Sequence, residues 1–130
     1  MPLVTLTVRK PKSSAFKTTV LEAVHAALVS SGVPPTDKFQ RVFELEADDF
    51  RFDPGYPDLT SQRTDDFALI EILWSVGRSV KVKKKLLQEL MDRVAPLFRE
   101  RIAEQKQNRH EAQHERQADF HHLQAKQRCG

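Results

Sequence analysis

The chain has 130 residues, a formal net charge of +3 at pH 7, and a composition that is 39% hydrophobic and 30% charged. These values suit one compact globular domain, and the thin basic excess forms no dense stripe that would favour nucleic-acid binding. No apolar run approaches the roughly 18 residues of a membrane span, and Arg9 and Lys10 interrupt any signal-like segment, so we expect neither membrane association nor export.

The first half of the chain predicts a strand, a helix and a second strand. Residues 2–8 alternate and are rich in β-branched residues, which is typical of a strand. Ser13 or Ser14 can cap the helix that follows, and Gly32 ends it. Residues 39–45 alternate again and predict the second strand. The apolar positions of the helix repeat at helical spacing: Phe16, Val20, Val24 and Ala27.

The second half opens with a polar loop over residues 46–65 and then repeats the pattern. Residues 67–74 form a near-continuous apolar run, which predicts a strand buried on both faces. Ser79 caps a second helix, which Pro96 kinks or ends. The inner face of that helix is expected to comprise Val82, Leu86, Leu90 and Val94.

The two halves therefore resemble a duplicated β-α-β unit. The predicted fold class is α+β, with a mixed sheet and two helices on one face. The other face of the sheet is left apolar, so we expect oligomerisation. We divide the chain into a domain of residues 1–98 and a charged extension of residues 99–130. The extension has no lasting apolar stripe and is expected to be helical or disordered.

Pro2 is the first residue with a chemical interest. Initiator Met is normally removed before a small residue, and removal would leave a free secondary amine. Desolvation and nearby cations lower the pKa of such an amine toward neutrality, where it can act as a base on carbon next to a carbonyl. The alternative is that Pro2 only aids processing. Its place at the start of a core strand favours the catalytic interpretation.

Arg78 and Asp37 are further candidates. Arg78 lies in a Gly-Arg-Ser turn at a helix start, where a guanidinium and backbone N–H groups together suit a carboxylate. Asp37 just precedes the second strand and could hold a water or a substrate hydroxyl. The alternatives are a solvent-facing arginine and an ordinary turn aspartate.

Other reactive side chains carry weaker signals. His110 and His114 have the i, i+4 spacing of a metal pair, but no third ligand accompanies them, so we expect no metal site. Glu71 lies in the apolar strand and is expected to pair at a subunit contact. The lone Cys129 cannot form an internal disulfide, which favours a reducing, cytoplasmic location. His25 is expected to be structural.

Several segments in order resemble one known family. They are Pro2-Leu3 opening a strand, GVP-x-TDKFQ, FDPGY, RTDDFALIEI and GRSVKVKKKLL. Together they cover residues 2 to about 95 and resemble the malonate semialdehyde decarboxylase-like branch of the tautomerase superfamily. The resemblance implies a duplicated β-α-β subunit that forms a homotrimer, with an active site around each N-terminal proline.

The resemblance also implies roles for the three candidates. Pro2 matches the general base or acid, Arg78 matches the arginine that binds the substrate carboxylate, and Asp37 matches an aspartate that positions or activates water. This sequence departs from the family at Val76, where the decarboxylase has a second arginine. It also lacks the final strand and hairpin, because residues 97–130 are charged and helical in character.

The sequence therefore predicts a cofactor-free tautomerase that shifts a proton between keto and enol forms of a 2-oxo acid. Its partners would be a small carboxylate substrate and other copies of the chain. One alternative is a malonate semialdehyde decarboxylase or hydratase that uses Asp37 to activate water. Another is an inactive interaction protein that binds a partner through residues 99–130.

Overall fold

The computed structural model describes residues 1–75 and 77–128, and their side chains except those of residues 105 and 114–128. The elements in chain order are β1 (Leu3–Arg9), α1 (Ser14–Ser30), β2 (Phe39–Leu45), a 3₁₀ turn (Ala47–Asp49), β3 (Ala68–Leu73) and α2 (Val80–Arg128). The chain divides into two compact units, Met1–Leu97 and Phe98–Gly130.

The three strands form one mixed sheet in the order β2-β1-β3. β1 lies in the centre, parallel to β2 and antiparallel to β3. The parallel pair is possible because α1 carries the chain back between the two strands. This confirms the predicted α+β class and its mixed sheet.

The core lies where β1 meets the helices. Val4, Leu6 and Val8 of β1 are almost completely buried. The buried apolar positions of the helices are Val20, Val24, Ala27 and Leu28 in α1, with Leu86 and Val94 in α2. Burying each such side chain contributes about 1.5–3 kcal/mol. Five of the eight predicted stripe residues are buried, and Phe16, Val82 and Leu90 are half-buried.

The predicted ends of α1 are confirmed. The Ser13 hydroxyl accepts a hydrogen bond from the Phe16 N–H at 3.0 Å, which caps the first turn. At the other end the Val33 N–H donates to the Leu28 carbonyl, and Gly32 adopts a φ of 106°. This arrangement is a Schellman motif, which a glycine accommodates with little strain.

The prediction that residues 67–74 are buried on both faces is wrong for the single chain. Exposure alternates along β3, with Leu69 and Leu73 42% and 71% exposed. Phe39 and Phe43 of β2 occupy the same face and are also about half exposed. The helices cover one face of the sheet only, which leaves an apolar opposite face.

Residues 80–128 are helical, so the part of the chain that follows β3 supplies no fourth strand where it is described. Pro96 lies inside α2 and does not end it. Within the described residues, neither helix has the length and hydropathy needed to cross a bilayer.

Candidate active site

The register of the sheet brings three chain segments to one end. Leu3, the first residue of β1, is paired with Phe39 at the start of β2 and with Leu73 at the end of β3. Pro2 precedes the first of these, Asp37 lies two residues before the second, and Trp74 follows the third. We call this the site end of the sheet, defined by Pro2, Asp37, Trp74 and Arg78.

Pro2 is less than 2% exposed, so its ring is held in the protein interior. The residue before it is exposed, and the Met1 ammonium lies 3.5 Å from Oδ2 of Asp37. The Asp37 side chain itself is 25% exposed. A carboxylate therefore lies within ion-pair distance of the chain terminus, one residue from the predicted catalytic nitrogen.

The turn that carries Arg78 has a defined local structure. Gly77 adopts a φ of 107°, a conformation that side chains disfavour, and reverses the chain after β3. The Ser79 hydroxyl then accepts from the Val82 N–H at 3.2 Å and caps α2, as predicted. Arg78 lies between these two residues, and its Cζ is 4.5 Å from the centroid of the Trp74 ring.

Trp74 was not among the candidate site residues chosen from the sequence. Its indole Nε1 is buried, and among the described residues no acceptor meets it. The signal was available, because Trp74 is the only tryptophan of the chain, directly follows a strand and lies four residues before Arg78.

The remaining candidates lie elsewhere or outside the described part of the chain. Nε2 of His25 donates to the Pro35 carbonyl at 2.9 Å, which fits a structural role. The Glu71 side chain is exposed on the apolar face of the sheet. Val76 and Cys129 lie outside the described residues, as does the side chain of His114. No group of three or more metal-ligating side chains occurs among the residues that are described.

The opposite end of the sheet also carries charged residues, but these are paired. We call it the anchored end, defined by Arg9, Lys12, Glu44, Asp65 and Asp66. Nζ of Lys12 lies 3.4 Å from Oδ1 of Asp66, and both side chains are 3% exposed. The same Nζ donates to the Arg9 carbonyl at 2.8 Å.

Two further ion pairs complete the anchored end. Arg9 donates to Oδ1 of Asp65 at 2.9 Å and stacks on the Phe52 ring, 4.1 Å from its centroid. Lys17 donates to Oε2 of Glu44 at 2.9 Å. The pKa of Glu44 is lowered from its ordinary value, first by the hydrogen bond from Lys17 and then by the backbone N–H of Lys12.

Known proteins resemble this chain in sequence. The sequence model of a family described as "Tautomerase enzyme" matches residues 37–100, a range that contains Asp37 and Arg78. A probable tautomerase of Bacillus subtilis (strain 168), YusQ, is 27% identical over 95 residues, which are 72% of this chain and 73% of the relative. The sequence is therefore similar to those of tautomerases over most of the chain.

Solved structures of the superfamily share the fold of this chain. FG41 malonate semialdehyde decarboxylase inhibited by 3-bromopropiolate has a TM-score of 0.64 and 23% identity, covering 73% of this chain and 72% of that one. A fused 4-OT in a symmetric trimer has a TM-score of 0.53 and 22% identity, with coverage of 73% and 72%. At these identities the likeness establishes the fold alone.

Proposed function

We propose that the protein is a cofactor-free tautomerase that moves a proton between keto and enol forms of a 2-oxo acid. The observation that supports the proposal is the strand register: Leu3 pairs with Phe39 and Leu73, so the segments that carry Pro2, Asp37 and Arg78 adjoin one end of the sheet. These residues supply a base, an acid–base neighbour and a carboxylate anchor.

In this mechanism, removal of Met1 frees the Pro2 nitrogen. Burial of the Pro2 ring holds the freed nitrogen in one place and keeps the chain end from fraying. The nitrogen lone pair takes a proton from carbon 3 of the substrate. The electrons of that C–H bond form a double bond between carbons 2 and 3, and the π electrons of the carbonyl move onto the oxygen at carbon 2. The same proton is then returned to that oxygen, which gives the enol, and the reverse sequence gives the ketone.

Arg78 and Asp37 serve the two charged partners of this reaction. The Arg78 guanidinium binds the substrate carboxylate, for which its planar fork of donors is suited. Asp37, whose Oδ2 lies 3.5 Å from the present chain terminus, stabilises the prolinium formed when Pro2 holds the proton. The substrate carboxylate thus has the Arg78 guanidinium as its counter-charge, and the prolinium has the Asp37 carboxylate.

The test is a Pro2→Ala variant whose Met1 removal is verified by intact mass. We expect its tautomerase turnover of phenylenolpyruvate to fall by about 10²–10⁴, the usual contribution of a positioned proton-transfer group. Because the Pro2 ring is buried, thermal unfolding of the same preparation must show that the variant is folded at the assay temperature. Wild-type turnover, or a wild-type chain that retains Met1, would contradict the proposal.

We further propose that the protein assembles as a homotrimer through the exposed face of its sheet. Phe39, Phe43 and Leu73 are between 46% and 71% exposed there, an apolar surface that association would bury. Arg41 and Glu71 flank Thr5 in one row across that face. The row is basic on one side and acidic on the other, so a second copy of the chain can match it head to tail.

A decarboxylase or hydratase remains the second candidate, favoured by the placement of Asp37 beside the terminus. In that reaction Asp37 would activate a water. An Asp37→Asn variant separates the two functions, because it should retain tautomerase turnover within about tenfold yet release no carbon dioxide from malonate semialdehyde if the lyase reaction occurs. Absence of carbon dioxide release in the wild type would eliminate the decarboxylase, and absence of water addition to an unsaturated acid would eliminate the hydratase.

A further inference from the structure

The Trp74 side chain contacts Arg78 but has no role in the function proposed above. The guanidinium lies 4.5 Å over the indole ring, which is the geometry of a cation–π contact. The Nε1–H of the same ring is buried with no acceptor among the described residues. A buried donor without a partner is costly in a folded protein and suggests that a ligand oxygen satisfies it.

We propose that Trp74 is the second component of the carboxylate site. Its ring face positions Arg78, and its Nε1–H donates to an oxygen of the bound carboxylate. The inference rests on the assignment of Arg78 as the carboxylate anchor, but not on the role of Pro2.

Local structure explains why Trp74 can do this. The residue is fixed at the end of β3, and the Gly77 turn returns the chain so that Arg78 meets the ring four positions later. An arginine held against an aromatic face loses less conformational freedom when it binds a ligand. A neutral indole donor would also take the place of the second arginine, since position 76 is a valine in this sequence.

The intrinsic fluorescence of the protein tests the inference directly, because Trp74 is the only tryptophan. Titration of the wild type with pyruvate should change its emission saturably. The uncharged ester methyl pyruvate is the matched control and should cause no saturable change, and neither should pyruvate added to Arg78→Ala. No response to pyruvate, or an equal response to the ester, would overturn the inference.

The same titration separates this inference from the proposed function. A Pro2→Ala variant should keep the emission response to pyruvate while it loses turnover. If the wild type shows the response but no tautomerase turnover, the carboxylate site stands and the proposed function fails. If turnover depends on Pro2 but the emission does not respond, the role of Trp74 fails alone.

Two variants separate the ring face from the donor. Trp74→Phe keeps an aromatic face without the N–H, and should raise KM about tenfold with little change in kcat. Trp74→Leu removes both and should raise KM further. Tyr56→Leu, at an aromatic residue 73% exposed in the loop before β3, is the control and should keep the wild-type KM. A wild-type KM in Trp74→Phe would overturn the donor role, and a wild-type KM in Trp74→Leu would overturn both roles.

Discussion

The two ends of the sheet are both rich in charge, yet they differ in how those charges are used. At the anchored end, Lys12 and Asp66 form a buried ion pair. Arg9 donates a hydrogen bond to Asp65, and Glu44 accepts one from Lys17. At the site end, the Asp37 carboxylate meets only a terminal ammonium among the ion pairs of the described residues. Arg78 rests on an aromatic ring and not on a carboxylate.

The difference shows that charge density alone does not locate a site. Charges that neutralise one another within the fold hold elements together, and a ligand would have to displace a protein partner to use them. A guanidinium with no carboxylate partner in the described chain is available to an anionic ligand without that displacement. The site end is therefore suited to binding, and the anchored end to stability.

The largest effect is expected from removing the buried Lys12 ammonium at the anchored end. Lys12→Met should lower the free energy of unfolding by about 3–5 kcal/mol, because it removes the ammonium that lies 3.4 Å from the buried Asp66 carboxylate. Turnover per folded molecule should be unchanged. Chemical denaturation and steady-state kinetics on the same preparation would measure both quantities.

A neighbouring lysine provides the control for that experiment. Lys10 pairs with Glu46 at 3.2 Å, but both side chains are about half exposed or more. Lys10→Met should therefore cost less than about 1 kcal/mol. Equal losses in the two lysine variants, or a loss of turnover in Lys12→Met, would contradict the division between the two ends.

Arg41 and Glu71 lie on the exposed face of the sheet, and in the proposed homotrimer they pair between copies of the chain. Reversing one charge by Arg41→Glu or Glu71→Arg should weaken self-association about tenfold or more, because like charges would then meet across the interface. The double reversal should restore association. Sedimentation velocity would measure this, with Arg51→Glu as a control in the loop. Unchanged association in both single variants would remove the proposed contact.

The smallest expected effect concerns Glu44. Its pKa is lower in the folded chain than the ordinary value of 4.5, chiefly through the hydrogen bond from Lys17. The carboxylate therefore stabilises the fold above the unfolded pKa, and this contribution is lost as the pH falls through the folded pKa. Glu44→Gln should flatten the acid side of the stability profile measured by thermal unfolding at pH 3 to 6. An identical profile would show that the pair with Lys17 contributes nothing.

Local patterns were sufficient to predict most of the fold. Alternation gave the bounds of β2, and a serine hydroxyl with a glycine gave both ends of α1. Exposure along β3 could not be predicted in the same way, because an apolar run does not distinguish a face buried by helices from one left for another copy. The residue type alone could not predict whether Pro96 ends α2, because neighbouring turns can maintain a helix at a proline.

The site was predictable only in part. Pro2, Asp37 and Arg78 could be chosen from their residue types and from resemblance to a family. Their common location depends on a strand register that pairs residues far apart in sequence. Trp74 was missed for a related reason. Its position after a strand and four residues before Arg78 could have drawn attention to it, but its contact with Arg78 depends on the turn at Gly77.

The central claim is that the mature chain presents an unprotonated Pro2 nitrogen at the site end. Covalent labelling with 3-bromopropiolate, followed by peptide mapping over a range of pH, tests it most directly. The account predicts a single adduct on Pro2 that already forms at neutral pH, and reduced labelling in Arg78→Ala. An adduct elsewhere, or a Pro2 adduct that forms only in strongly alkaline solution, would contradict it.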